Sequence, residues 1–169
     1  MIRKANIKDL DQIMNIISDT VKEMKTYNNT QWDENYPQAK DFENDIKNED
    51  LYVDELDGQV VGLICVNYIE PDEYLDIKWA FDKKAMIIHR MAVNSNFRNQ
   101  KIGTRLMEFA EELAKNNGVV YLKTDTYSLN IKMNSLFKKF GYKLAGQMEF
   151  LGKEEPFNCY DKFLDFPSK

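Results

Sequence analysis

The sequence holds only one histidine and two cysteines. One imidazole and two thiols cannot furnish a standard four-ligand zinc site. Cys65 and Cys159 each lie inside an apolar run, so they read as buried thiols rather than as a bridge. No apolar run reaches the roughly 18 residues of a membrane span. No basic segment followed by an apolar one opens the chain at Met1, so no signal peptide is expected and a cytoplasmic location is. The formal charge of −5 has the wrong sign for a general nucleic-acid binder. Neither G-x-G-x-x-G nor G-x-x-x-x-G-K-[ST] occurs, which excludes the common nucleotide loops. Internal repeats, low-complexity tracts and linkers are absent too, and 169 residues read as one domain, 1–169, long enough for a proper core.

Against this acidic background, residues 87–112 gather positive charge. Ile87, Ile88, Met91 and Val93 predict a strand, and a polar segment follows. Then Ile102, Leu106, Phe109 and Leu113, spaced four, three and four apart, predict a helix with Arg105, Glu108, Glu111, Glu112 and Lys115 on its other face. The helix starts directly out of the polar loop. Arg98, Asn99, Gln100, Lys101, Ile102, Gly103 and Thr104 would therefore present backbone N–H groups, the positive end of a helix dipole and, with Arg105, three cations. Phosphate and pyrophosphate need that chemistry.

Elsewhere the chain alternates short elements. Residues 2–5 predict a first strand, and Asn6 with Asp9 resembles a capping box in which Asp replaces the usual Glu or Gln. Leu10, Ile13, Ile17, Val21 and Met24 line one face of a helix of about five turns. Residues 27–37 break it and carry Tyr27, Trp32 and Tyr36, aromatics that either fold back over the core or face a ligand. A second helix is predicted over about residues 38–47. Asp57-Gly58, between β-rich runs at 50–55 and 59–67, predicts a tight hairpin. Residues 70–84 form a long acidic and aromatic connection with strand character near 74–79; their acids either face solvent or attract a cationic acceptor. Asn117-Gly118 ends the third helix, residues 119–124 predict a buried strand, 125–129 a loop, and 130–140 a short helix closed by Gly141. Residues 143–150 and 157–164 predict an antiparallel pair.

Arg98-Asn99-Gln100-Lys101-Ile102-Gly103 resembles the Gln/Arg-x-x-Gly-x-Gly/Ala loop through which GCN5-related N-acetyltransferases bind acetyl-CoA. Lys101 stands where the first glycine is usual. At a position of positive φ a lysine costs about 1 kcal/mol, so either Lys101 has ordinary dihedrals or the loop is slightly remodelled. Asn130-x-x-Met133-x-x-Leu136-Phe137-x-x-x-Gly141-Tyr142 also resembles the family, and the likeness covers roughly residues 85–145. It implies an α/β (α+β) single-domain fold of the acyl-CoA N-acyltransferase type: a mixed, mostly antiparallel sheet of about seven strands with helices on both faces.

The resemblance further implies an acetyl-CoA-dependent N-acetyltransferase acting on a primary amine of a small molecule, peptide or protein. Acetyl-CoA is then a cosubstrate, no metal is needed, and the partners are acetyl-CoA and the amine rather than nucleic acid or membrane; a homodimer is allowed. In the resembled fold the strands matching 87–93 and 119–124 splay apart, so backbone groups of Met91, Ala92 and Val93 would bond the pantetheine arm, with the 98–104 loop on the pyrophosphate and Asn130 on the pantetheine amides. The region of Trp32 and Tyr36 usually forms one wall of the acceptor site. His89 is the first candidate for general base, its competing role being that of a satisfied structural histidine; Glu70 and Asp125 are weaker candidates. Where the family often has a proton-donating Tyr, this chain has Phe137. Tyr127 or solvent would then protonate the thiolate. A chain that has lost that acid is alternatively a catalytically weak acyl-CoA-binding or sensing module.

Overall fold

The structure, a computed structural model, describes residues 1–165. Seven strands form one mixed sheet: β1 (Ile2–Lys4), β2 (Leu51–Leu56), β3 (Gln59–Asn67), β4 (Met86–Val93), β5 (Tyr121–Tyr127), β6 (Lys143–Met148) and β7 (Phe157–Phe163). Their order across the sheet is β1-β2-β3-β4-β5-β7-β6. The pairs β1/β2, β2/β3, β5/β7 and β6/β7 are antiparallel, and β4/β5 is parallel. Among the described residues four α-helices accompany it: α1 (Leu10–Lys25), α2 (Ala39–Lys47), α3 (Ile102–Asn116) and α4 (Ile131–Lys139). The expected fold class is the observed one. None of the helices among the described residues is long and apolar enough to cross a membrane.

The chain divides into two compact units, one of Met1–Val66 with His89–Met107 and the other of Asn67–Ile88 with Glu108–Lys169. In the first unit, local rules set the elements. Asn6 accepts the Lys8 N–H and Asp9 accepts the Asn6 N–H, so the expected capping box exists, on a 3-10 turn that runs into α1. Asp57 and Gly58 both have positive φ, 50° and 78°, as a two-residue turn matching the twist of the β2/β3 hairpin demands. Strand alternation then assigns the helices. Leu63 and Cys65 of β3 pack with Ile13, Ile16 and Ile17 of α1 and Phe42 of α2. Gly62, facing the other way, lies under α3, where an added Cβ would stand 2.7 Å from Ile102 and 3.1 Å from Leu106.

In the second unit, β5 takes β4 as its parallel neighbour over Met86–Leu122 to Ile88–Thr124 and β7 as its antiparallel neighbour over its whole length. That second partnership corrects the expected end of the strand. Residues 125–127 are strand rather than loop, because Phe157, Asn158 and Cys159 of β7 continue the ladder opposite them. The connection at 70–84 also departs from expectation: Asp72–Asp76 is a 3-10 helix and residues 74–79 are no strand. Pro71 starts it, and the N–H groups of Tyr74, Ile77 and Trp79 bond carbonyls two or three residues back, so these three donors are withdrawn from any ladder. Gly118 and Gly141, with φ of 68° and 80°, sit just past α3 and α4 as expected.

Candidate functional site

In the first unit, β4 delivers the chain to the cationic loop. The Asn94 N–H bonds the Val61 carbonyl at 2.9 Å, and the Asn94 side chain accepts the Asn96 N–H, closing a 3-10 turn. Asn99 and Lys101 then adopt left-handed conformations, φ 63° and 58°. Lys101 therefore does not take ordinary dihedrals: a lysine occupies the conformation a glycine would hold more cheaply, at a cost of about 1 kcal/mol. Helix α3 begins at the next residue. The Arg105 N–H is the one that reaches back to the Lys101 carbonyl, at 2.9 Å. By helix geometry the N–H groups of Ile102, Gly103 and Thr104 must find acceptors outside the helix, at its positive end.

The side-chain charges are arranged differently from expectation. Arg98 is ion-paired with Glu23 of α1, and Arg105 turns to Asp54 of β2, with Nε at 3.0 Å and Nη2 at 2.5 Å from Oδ2. Asp54 is fully buried, and a buried carboxylate without a cation is costly. Arg105 Nη1 donates to the Gln100 carbonyl at 2.9 Å. Two of the three expected anion-facing cations are thus engaged within the protein, and Arg105 supports the loop through its backbone. The loop's capacity for an anion rests on its N–H groups, its helix dipole and Lys101.

The aromatics of residues 27–37 separate. Trp32 is 5% exposed and packs in the core with Ile13, Phe42 and Leu63, so it folds back over the core. Tyr36 is half-buried, and its hydroxyl accepts from Arg90 Nη1 at 2.8 Å. Arg90, on β4, also makes a two-pronged pair with Asp45 of α2 at 2.8 and 2.6 Å. Burial raises the Asp45 carboxyl and the Tyr36 phenol above their ordinary values, against the pull of Arg90. The sequence reading missed this network. An arginine inside an apolar strand was the available signal, since its burial demands an acid. On the same strand His89 is half-buried, while Met91 and Ala92 are buried.

In the second unit, Asn130 is buried and caps α4, its side-chain oxygen accepting the Met133 N–H at 3.2 Å. Asn134, which the sequence reading passed over, fastens α4 to the sheet. It donates to the carbonyls of Tyr127 and Asn130 at 3.0 and 2.8 Å and accepts from Tyr160 and Asn158 at 2.5 and 2.9 Å. Phe137 is buried beside the rings of Tyr142 and Tyr160. Tyr127, on β5, is 2% exposed; its ring packs on Phe157 and its hydroxyl accepts the Glu155 N–H at 3.2 Å.

The same strand face carries two further polar groups. Asp125 is half-buried and accepts from the Tyr74 hydroxyl at 2.6 Å, and burial lifts its carboxyl to about 6. Lys123, nearly buried, pairs with Glu70 at 2.7 Å and lies over the Trp79 ring. Cys65 and Cys159 are both buried free thiols, the latter pushed up to about 12 by burial. Among the described residues, no group of three or more His, Cys, Asp or Glu is placed to hold a metal ion.

Comparison with known proteins bears on these features. The profile of the acetyltransferase (GNAT) family matches residues 16–142. A Staphylococcus aureus Mu50 structure assigned to the acetyltransferases is 30% identical, with a TM-score of 0.79 over 98% of this chain and 99% of that one. A GNAT-family acetyltransferase of Streptococcus agalactiae 2603 is 24% identical, with a TM-score of 0.86 over 98% and 96% of the two chains. A ribosomal-protein-alanine N-acetyltransferase of Brucella melitensis shares the fold at 22% identity and a TM-score of 0.72, over 97% and 99%. No curated protein sequence matches significantly. With the profile spanning the cationic loop, α3 and the Asn130 helix cap, the chain belongs to the acetyltransferase (GNAT) family.

Proposed function

We propose that the protein is an N-acetyltransferase that moves the acetyl group of acetyl-CoA to a primary amine of a small molecule, peptide or protein by direct attack. One observation carries this reading: behind a left-handed Lys101, α3 opens with three N–H groups that have no acceptor within the helix. Residues 98–104 would hold the pyrophosphate, and the backbone of Met91, Ala92 and Val93 with the Asn130 carboxamide would hold the pantetheine arm. When bound, acetyl-CoA supplies a thioester carbonyl as the electrophile. A backbone N–H of residues 91–93 would stabilise the oxyanion. His89 would accept the proton of the attacking amine, and the Tyr127 phenol would return one to the departing thiolate. A cytoplasmic location accompanies this reading.

A second reading, an acyl-CoA-binding or sensing module, draws on one observation. Phe137 has no proton to give, and the hydroxyl of neighbouring Tyr160 is already bonded to Asn134 at 2.5 Å. A thiol-release assay with acetyl-CoA across amino acids, polyamines, aminoglycosides and peptides separates the two. Turnover with any acceptor supports the transferase, and CoA binding without turnover supports the sensor. Gly103→Glu, which places bulk and negative charge at the start of α3, is expected to abolish CoA binding in calorimetry while the protein stays folded. Unchanged affinity would remove the loop from both readings.

A further inference from the structure

Within the second unit, Glu70, residues 77–79 and 81–83, and Lys123 line an open cleft of about 480 Å³, a volume ordinary for small-molecule sites. A connection of this length without a strand or α-helix is uncommon in a compact fold unless it has a task, and this one is fastened at several points. The Trp79 indole N–H donates to the Tyr74 carbonyl at 2.9 Å, and the Ala80 N–H donates to Asp161 at 2.9 Å. Phe81 packs on Tyr121 and Phe163, with ring centroids 5.4 and 5.0 Å apart. The cleft is therefore formed before any ligand arrives.

Its chemistry is unusual in being doubly charged. Lys123 Nζ, on a side chain only 7% exposed, lies 2.7 Å from Glu70 and 4.6 Å above the Trp79 ring. The Glu70 side chain is 36% exposed, so this carboxylate faces both its lysine and the solvent side of the cleft. A fixed ion pair in a partly desolvated cleft is a dipole. A ligand with opposite charges on neighbouring atoms can lie antiparallel to it, each charge meeting its opposite and no net charge being buried. A simple amine would set a second cation against Lys123, and a simple carboxylate would crowd Glu70. Lys78, Asp82 and Lys83 also line the cleft, so both signs recur there, and Trp79 and Phe81 offer flat apolar contact.

The geometry points to a ligand site: this cleft binds a zwitterionic amine, an α-amino acid with an apolar side chain. The ligand's ammonium meets Glu70, its carboxylate meets Lys123, and its side chain lies against Trp79 and Phe81. As the acetyl acceptor this ligand rests on the transferase reading above. The bound ammonium first releases one proton to a base, the amine nitrogen bonds the acetyl carbon, the C–S bond breaks, the nitrogen loses a second proton, and the CoA thiolate takes one up. The product amide has lost the ammonium charge, so Glu70 releases it.

Calorimetric titration of the whole protein tests this with four probes: phenylalanine, phenethylamine, 3-phenylpropionate and N-acetylphenylalanine. Phenylalanine is expected to bind at least about tenfold more tightly than each of the others. In Glu70→Gln, a change at a side chain exposed enough to spare the fold, phenylalanine should weaken about tenfold and 3-phenylpropionate should tighten. Equal binding of phenethylamine and phenylalanine overturns the assignment, and so does no binding of phenylalanine to the folded protein at millimolar concentration. Thiol release keeps the two readings apart. Selective phenylalanine binding with no thiol released for any amine leaves the cleft and removes the transferase; turnover of an amine that phenylalanine neither resembles nor inhibits does the reverse.

Discussion

Arg105 and Asp54 form a pair whose effect reaches a third residue. With Nη2 at 2.5 Å from the buried carboxylate, the guanidinium is oriented so that Nη1 meets the Gln100 carbonyl at 2.9 Å. The acid on β2 thereby braces the backbone of the 98–104 loop at Gln100. A lysine at this position keeps the charge but cannot span both partners. Arg105→Lys is expected to lower CoA affinity about tenfold in calorimetry with a small loss of melting temperature. Arg105→Met should cost about 3 kcal/mol of stability in denaturant unfolding, because it strips the main cation from a buried carboxylate. Unchanged CoA affinity in the lysine variant would disconnect the pair from the loop.

Trp32 belongs to the core around Ile13 and Phe42. Trp32→Ala is expected to cost about 3–5 kcal/mol, the range for removing a large buried aromatic, seen as a shift of the urea midpoint. If the variant keeps its stability and instead raises the acceptor KM, the side chain lines a pocket after all.

Asp125 makes stability depend on pH in a defined window. Its carboxyl is lifted by burial to about 6 in the folded protein, against about 3.9 in an unfolded chain. The folded state therefore holds the proton more tightly between those values. The group's contribution is fully present at about pH 4, declines as pH rises towards 6, and is level above that. Melting curves of Asp125→Asn against the parent should diverge in the variant's favour across this window. Tyr74→Phe removes the hydrogen bond that favours the carboxylate, so the decline should extend above pH 6. A constant offset between the curves would show that Asp125 does not titrate there.

The departure at Phe137 has its own test. Tyr127→Phe deletes only a hydroxyl, and if that hydroxyl protonates the thiolate, kcat should fall about a hundredfold or more with little change in acetyl-CoA affinity. Adding Phe137→Tyr should recover part of the loss. A kcat that does not move would assign the proton to solvent or show that another step limits turnover.

How much of this was legible in the sequence follows from how local each cause is. Asp57-Gly58, the Asn6 cap and the apolar stripe of α1 are decided within a few residues, and each appears where its pattern predicted. The partners of Arg98 and Arg105 are not. Asp54 lies 51 residues from Arg105, and counting charges around the loop could not reveal that a buried acid would take that guanidinium. Tyr127 was misplaced for a related reason: a strand ends where its neighbour ends, and β7 follows β5 in sequence by some thirty residues. Trp32 stayed open between core and pocket because the polar residues around it hide the core beneath. The start of α3 straight out of the 98–104 loop was readable because the apolar spacing from Ile102 onward is local. The cleft beside Trp79 was not, since residues 70–84 have no periodicity and Lys123 joins them from another strand.

Lys101 accepts backbone strain to keep a charge at the mouth of α3. With Arg98 and Arg105 committed to Glu23 and Asp54, the long-range attraction of the loop for an anion depends heavily on that one ammonium. Exposed charges are screened within about 8 Å at physiological ionic strength, whereas N–H groups in contact with a phosphate are not. On the proposed reading, capture of CoA at this loop would be tuned by the salt of its surroundings chiefly in its rate of encounter, and exchanging Lys101 for glycine would relax the backbone while surrendering that sensitivity.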